Sequence, residues 1–192
     1  MPSSTDTANI RADGPDPVEV TQEGRAGGTE REDLVGTLEK HRAFLRYTVR
    51  GLSDEEAARR STVSELCLGG LIKHVARVER QWVEFIEHGP SLIASADEAA
   101  MESHAASFRM LDGDTLQGLL ADYQLVADRT DELVRSLPSL DDSHPLPDAP
   151  WFEPGARWSA RRVLLHIVAE TAQHAGHADI IRESLDGAKT MG

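Results

Sequence analysis

Twelve residues near the C-terminus, His166-Ile-Val-Ala-Glu170-Thr-Ala-Gln-His174-Ala-Gly-His177, carry three histidines and one carboxylate inside an apolar helical pattern. At about 100° per residue, positions 166, 170, 174 and 177 fall within about 80° of one another on a helix. Glu170 and His174 stand one turn apart, so both side chains can reach a single ion. Tetrahedral zinc sites that do chemistry use three protein ligands and keep one position for water or substrate. Two imidazoles and one carboxylate with open positions also suit ferrous iron or nickel.

One helix face cannot surround an ion, so a third ligand must come from another element. His74 is the best supplier. It lies three residues after Leu71 and four before Val78, at the border of an apolar stripe, where an unpaired imidazole would lose water without compensation. A lone histidine in that position is more often hydrogen-bonded in a core than metal-bound. The cluster at 166–177 is what shifts the balance toward ligation. His41, His88, His104 and His144 read as structural or exposed. The spacing H-x-x-x-E-x-x-x-H excludes the H-E-x-x-H zincin motif. Paired E-x-x-H motifs, the mark of di-iron bundles, are absent.

The elements that must position these residues are helical. Residues 1–28, rich in Pro, Gly, Ser, Thr and Asp without apolar periodicity, read as a disordered tail. A first helix is expected over about 30–52, with Leu34, Leu38, His41, Leu45, Thr48 and Leu52 as its seam. Ser53 and Glu56 form a capping box for a short turn. A second helix is expected from a Thr62/Glu65 capping box to His88, where Gly89-Pro90 stops it. Residues 91–111 have a weak pattern in which an Ala-rich stretch suits a short helix. A third long helix spans 112 or 114 to Leu137. Pro138–Trp158 reads as a long loop, and loops of that length are often functional. Ser159 is placed to cap the last helix and Gly187 to end it. No strand alternation or hairpin signal is visible. The expected architecture is an all-α four-helix bundle over 29–192.

Composition narrows the partners. The 192 residues carry a formal charge of −13, which repels phosphates and disfavours nucleic acid or anionic membrane as partners. No apolar run approaches the roughly 20 residues needed to span a bilayer. Neither is there a basic segment leading into an apolar one at the N-terminus, as a secretory signal requires. A single cysteine, Cys67, excludes an internal disulfide and fits a reducing cytosol. It falls seven residues before His74, hence on roughly the same face. A small core residue is its plainer reading, with an extra ligand or nucleophile as the sharper one. Trp82, Trp151, Phe152 and Trp158 are candidates to line a pocket, against the plainer reading of core packing.

The segment LGGLIKHVARVERQW, followed by WSARRVLLHIVAETAQHAGHADIIRESLDG, resembles the DinB/YfiT-like superfamily. It is most similar to the actinobacterial branch ending in E-x-A-x-H-x-G-H-A-D-x-x-R-E-x-x-D-G. The R-x-F-L-R-x-x-x-x-G-L-S-D-E-E-A segment at 42–57 fits as well, so the resemblance runs from about residue 30 to 187. It implies a four-helix bundle holding one divalent metal, zinc first with nickel or iron as alternatives, through His74, Glu170 and His174. This set is similar to that of mycothiol-dependent maleylpyruvate isomerase. By the same resemblance His166 and His177 are pocket neighbours, and Arg182 is a candidate contact for an anionic cofactor. The implied activity is a cytoplasmic thiol S-transferase or isomerase acting on a small-molecule thiol (mycothiol) and an electrophile, with a homodimer as the implied assembly. A metal-stabilised stress-response or binding protein without turnover, and a metal-assisted hydrolase, are the competing readings.

Overall fold

The computed structural model describes residues 29–90 and 98–190; the expected tail at 1–28 lies outside them. Four long helices form the bundle: α1 (Glu30–Thr48), α3 (Leu68–His88), α5 (Leu116–Ser136) and α6 (Ala160–Asp186). Two short helices, α2 (Asp54–Ala58) and α4 (Glu98–Ser107), sit in the connections. Around the bundle, α1 packs on α6 and α5, and α3 packs on α5 and α6. Among the described residues, no helix is long and apolar enough to cross a membrane.

Two apolar clusters show how the helices run. One gathers Leu34 and Leu38 from the start of α1, Phe85 and Ile86 from the end of α3, Val134 from the end of α5, and Val163 and Leu164 from the start of α6. The other gathers Leu45 and Val49, Leu68 and Leu71, Leu116 and Leu119, and Ala178 and Ile181, from the opposite ends of the same helices. So α1 and α6 run one way, and α3 and α5 the other. The chain must therefore cross the full bundle length between α3 and α5. The crossover carries α4.

Two adjacent glycines let this crossover lie flat on α3. A Cβ at Gly70 would fall 1.9 Å from the Phe108 carbonyl oxygen, and one at Gly69 would fall 2.2 Å from Met110 Sδ. Any larger residue at 70 would push backbone, because no flexible side chain stands there to yield. The contact brings Ser107 and Phe108 down onto the N-terminal part of α3.

Helix ends follow local chemistry, with several departures from expectation. Thr29 with Glu32 and Ser53 with Glu56 form capping boxes. Ser159 caps α6, and Gly187 ends it in the left-handed conformation at φ 80°. The Thr62/Glu65 box does not form, and α3 starts at Leu68. Residues around Ser61 are instead tied to α6, the Ser61 hydroxyl donating to Ile181 O (2.9 Å) and the Ser184 hydroxyl to Ser61 O (2.7 Å). Likewise Asp114 does not start α5. It binds Lys73 (2.6 Å) and the Leu111 N–H (2.8 Å), and Thr115 is the cap. Helix α1 stops at Thr48, short of Leu52. The loop over 138–158 also holds an unexpected two-stranded antiparallel sheet, β1 (Ser143–Pro145) with β2 (Arg157–Ser159). Three-residue strands are too short to leave a readable alternation.

The interior holds a charge layer that periodicity did not reveal. On α1 it is Arg42, 2% exposed, that turns inward, while His41 stays half-buried. Arg42 donates through Nε and Nη2 to both oxygens of the fully buried Glu79 on α3 (3.2 and 2.5 Å), and through Nη1 to Asp131 on α5 (2.8 Å). Thr130 lies with its hydroxyl 2.6 Å from Glu79. Removing one partner leaves an uncompensated buried charge, which costs about 3–5 kcal/mol. Glu79→Ala is therefore expected to lower unfolding free energy by about that amount in urea titrations. A loss under about 1 kcal/mol, the scale of a surface pair, would contradict the account.

Candidate metal centre

Helix α6 presents Glu170 and His174 one turn apart, and α3, antiparallel beside it, presents His74. One ligand-capable atom from each lies within 4.8 Å of those of the other two. His174 Nε2 is 3.6 Å from Glu170 Oε2, and His166 Nε2 is 3.8 Å from Glu170 Oε1. His74 is 2% exposed and Glu170 half-buried, its side chain 28% exposed, so the cluster is closed on the α3 side and reachable on the Glu170 side. The His74 and His174 rings meet edge to face at 4.9 Å between centroids.

The crossover completes the surroundings of His74. Phe108 stacks on its ring at 3.7 Å and 20°. His74 Nδ1 lies 2.9 Å from the hydroxyl of Ser107, which is itself 2.6 Å from the His104 carbonyl. The exposed His104 places its ring 5.2 Å from that of His74. Neither Ser107 nor Phe108 stood out in the sequence, because the Ala-rich segment around them lacks the apolar period that marks a buried face. The Gly-Gly pair in LGGLIKH was the available signal of a close approach there.

The remaining candidates separate by position. His166 sits among Trp82 (4.9 Å), Trp158 (5.2 Å) and Glu170, and the two indoles stack on each other at 4.9 Å and 15°. They make an aromatic wall beside the carboxylate. Phe152 packs edge-on against Trp158 at 5.9 Å, whereas Trp151 is 63% exposed. His177 Nδ1 lies 3.4 Å from His174 Nδ1, on the far side of that ring from Glu170. Cys67, buried at the start of α3, points its thiol toward Phe108 O (3.7 Å). The Arg182 guanidinium, two turns beyond His174, reaches the carbonyls of Thr48 (2.7 Å) and Arg50 (2.9 Å) and is paired with Asp186. Those bonds satisfy the Thr48 carbonyl at the C-terminal end of α1 and the Arg50 carbonyl just beyond it.

Electrostatics leave His74 and Glu170 in metal-binding form. Burial pushes His74 down to about 3, and the neighbouring His174 and His104 add to the shift. Its imidazole is therefore neutral at neutral pH. The hydrogen-bonding pull of His174 holds the Glu170 carboxyl below the usual range, against desolvation. Burial also lowers His166.

Four long helices, with the His74, Glu170 and His174 cluster between α3 and α6, make an all-α bundle of the DinB-like fold. Residues 33–187 match the family model described as mycothiol-S-transferase, and the chain belongs to that DinB-like family. A crystal structure of a conserved protein from Enterococcus faecalis is similar in fold, with a TM-score of 0.59. The two share 15% identity over 84% of this chain and 100% of that one. No match was found among curated proteins.

The pH dependence follows from the His74 shift. An unfolded imidazole takes up a proton near 6.5, while the folded one resists down to about 3. Its contribution to stability is thus complete above 6.5 and is lost as pH falls toward 3. Metal-free protein should melt progressively lower from pH 6.5 to 5, above the range where Glu170 titrates. His74→Gln should flatten that slope, and His166 should account for a remainder. An unchanged slope in the variant, read by calorimetry, would contradict the assignment.

Proposed function

We propose that the chain is a divalent-metal-dependent thiol S-transferase in which His74, Glu170 and His174 hold the ion, zinc first among candidates, and mycothiol is the thiol. The observation that carries this reading is the convergence of two imidazoles and one carboxylate, from His74, His174 and Glu170, in a member of the mycothiol S-transferase family. The residues fit such an ion. Zinc bonds of about 2.0–2.1 Å put tetrahedral ligands about 3.3 Å apart. The 3.6 Å between His174 and Glu170 is near that, and an ion would draw the set inward from its 4.8 Å limit.

When bound, a divalent ion with an open position lowers the pKa of a thiol ligand and so supplies the nucleophilic thiolate. The chain's residues set the conditions for this. Glu170 contributes one negative charge and the two histidines none, so the three leave a net positive centre that favours an anionic sulfur. Three protein ligands, not four, keep a position for that sulfur. The wall of Trp82, Trp158 and His166 offers an apolar flank to an electrophile and limits water beside the carboxylate. Both the low-molecular-weight thiol and the single buried cysteine are consistent with a cytoplasmic setting.

The test is metal analysis of the purified protein, followed by conjugation assays with mycothiol and other thiols against a reactive electrophile. The expected result is about one divalent ion per chain and thiol-dependent conjugation that falls on the order of 100-fold in His74→Ala, Glu170→Ala and His174→Ala. Turnover without thiol would favour hydrolysis instead. Metal retention with no electrophile consumed would favour a binding protein.

A further inference from the structure

We propose that Ser107, delivered by the α3–α5 crossover, is a positioning residue that fixes His74 as its Nδ1–H tautomer and so presents the Nε2 lone pair to the site. The inference rests on the metal reading given above and extends it to a residue on a different element. Ser107 is 3% exposed, and its hydroxyl has one proton and two plausible acceptors. The His104 carbonyl, at 2.6 Å, is a full acceptor with no proton of its own. With the hydroxyl proton directed there, Ser107 Oγ meets His74 Nδ1 at 2.9 Å as an acceptor, and Nδ1 must donate. The neutral ring then has its only lone pair at Nε2. The alternative, an Nε2–H tautomer, would leave the nitrogen that Ser107 does not hold without a lone pair for an ion.

Three contacts hold the serine in place. Phe108, the next residue, is stacked under the imidazole at 3.7 Å. Its carbonyl oxygen lies so close to Gly70 that a Cβ there would come within 1.9 Å. The Cys67 thiol approaches the same carbonyl at 3.7 Å. Ser107 and Phe108 therefore lie as a strap across the base of His74, and their docking on α3 is coupled to the orientation of a ligand on that helix. Groups that orient metal-binding histidines in this way are worth about 10- to 100-fold in metal affinity.

The experiment has two arms on the full chain. In the first, two-bond proton–nitrogen NMR of metal-free wild-type protein at neutral pH reads the His74 tautomer. The second titrates zinc against a chromophoric chelator for wild type, Ser107→Ala and Ser107→Thr, with circular dichroism to verify helicity. The expected result is an Nδ1–H ring in the wild type, a mixed or inverted tautomer in Ser107→Ala, and zinc affinity lowered about 10- to 100-fold in that variant. Ser107→Thr, which keeps the hydroxyl, should recover most of the loss. An Nε2–H ring in the wild type overturns the inference whatever the variants do. So does zinc affinity in Ser107→Ala within about twofold of wild type, or an equal loss in both variants, which would mark a packing effect. Wild-type protein that binds no zinc overturns the metal reading itself, and this inference with it; intact wild-type binding with an indifferent Ser107→Ala overturns this inference alone.

Discussion

The buried guanidinium of Arg42 constrains the rest of the bundle. A charge with 2% exposure persists only if its donors are met, and Glu79 and Asp131 meet them from two other helices. Apolar side chains alone tolerate small slips, since one methyl packs about as well as the next. A guanidinium fork bound to both oxygens of one carboxylate does not. The layer therefore fixes the rotation and height of α1, α3 and α5 together. Glu79 stands five residues after His74, so the same constraint sets where His74 sits along α3.

From that register the site follows by geometry. Helix α6 is tied to α1 by Arg182 and to the α2–α3 segment by Ser61 and Ser184. These bonds hold the C-terminal half of α6 while Val163, Leu164 and Ile167 bury its other half in the core. Between the two anchored stretches, Glu170 and His174 face His74. The crossover then covers the far side of His74, made possible by a backbone approach that only glycine at position 70 allows. What remains reachable is the Glu170 side, flanked by Trp82, Trp158 and His166. The cluster is thus covered by Ser107 and Phe108 on one side and reachable past the Glu170 carboxylate on the other.

The legible part of this was the part written in periodicity. Glu170 and His174 declared a shared face through their spacing of four, and His74 declared its burial through the apolar residues around it. Four long helices, the Ser159 cap and the Gly187 stop were readable for the same reason. Arg42 and Glu79 were not, because a charged residue in an amphipathic pattern is assigned to solvent unless its partner is known, and that partner lies 37 residues away. Ser107 was hidden by low contrast, in an Ala-rich segment with no face to read. Arg182 was legible as a member of a C-terminal charge cluster, but its bonds to the carbonyls of Thr48 and Arg50 depend on helix packing that no local pattern encodes. The Thr62/Glu65 box shows the opposite error: a correct local signal outweighed by hydrogen bonds to α6.

The central claim, that two imidazoles and one carboxylate leave a coordination position for a thiol, is tested most directly by X-ray absorption at the zinc edge of the zinc-loaded protein. The expected spectrum has nitrogen and oxygen scatterers of His74, Glu170 and His174 at about 2.0–2.1 Å from the zinc, with a sulfur scatterer at about 2.3 Å appearing only when mycothiol is added. A spectrum that already shows four protein ligands, and does not change with thiol, would contradict it.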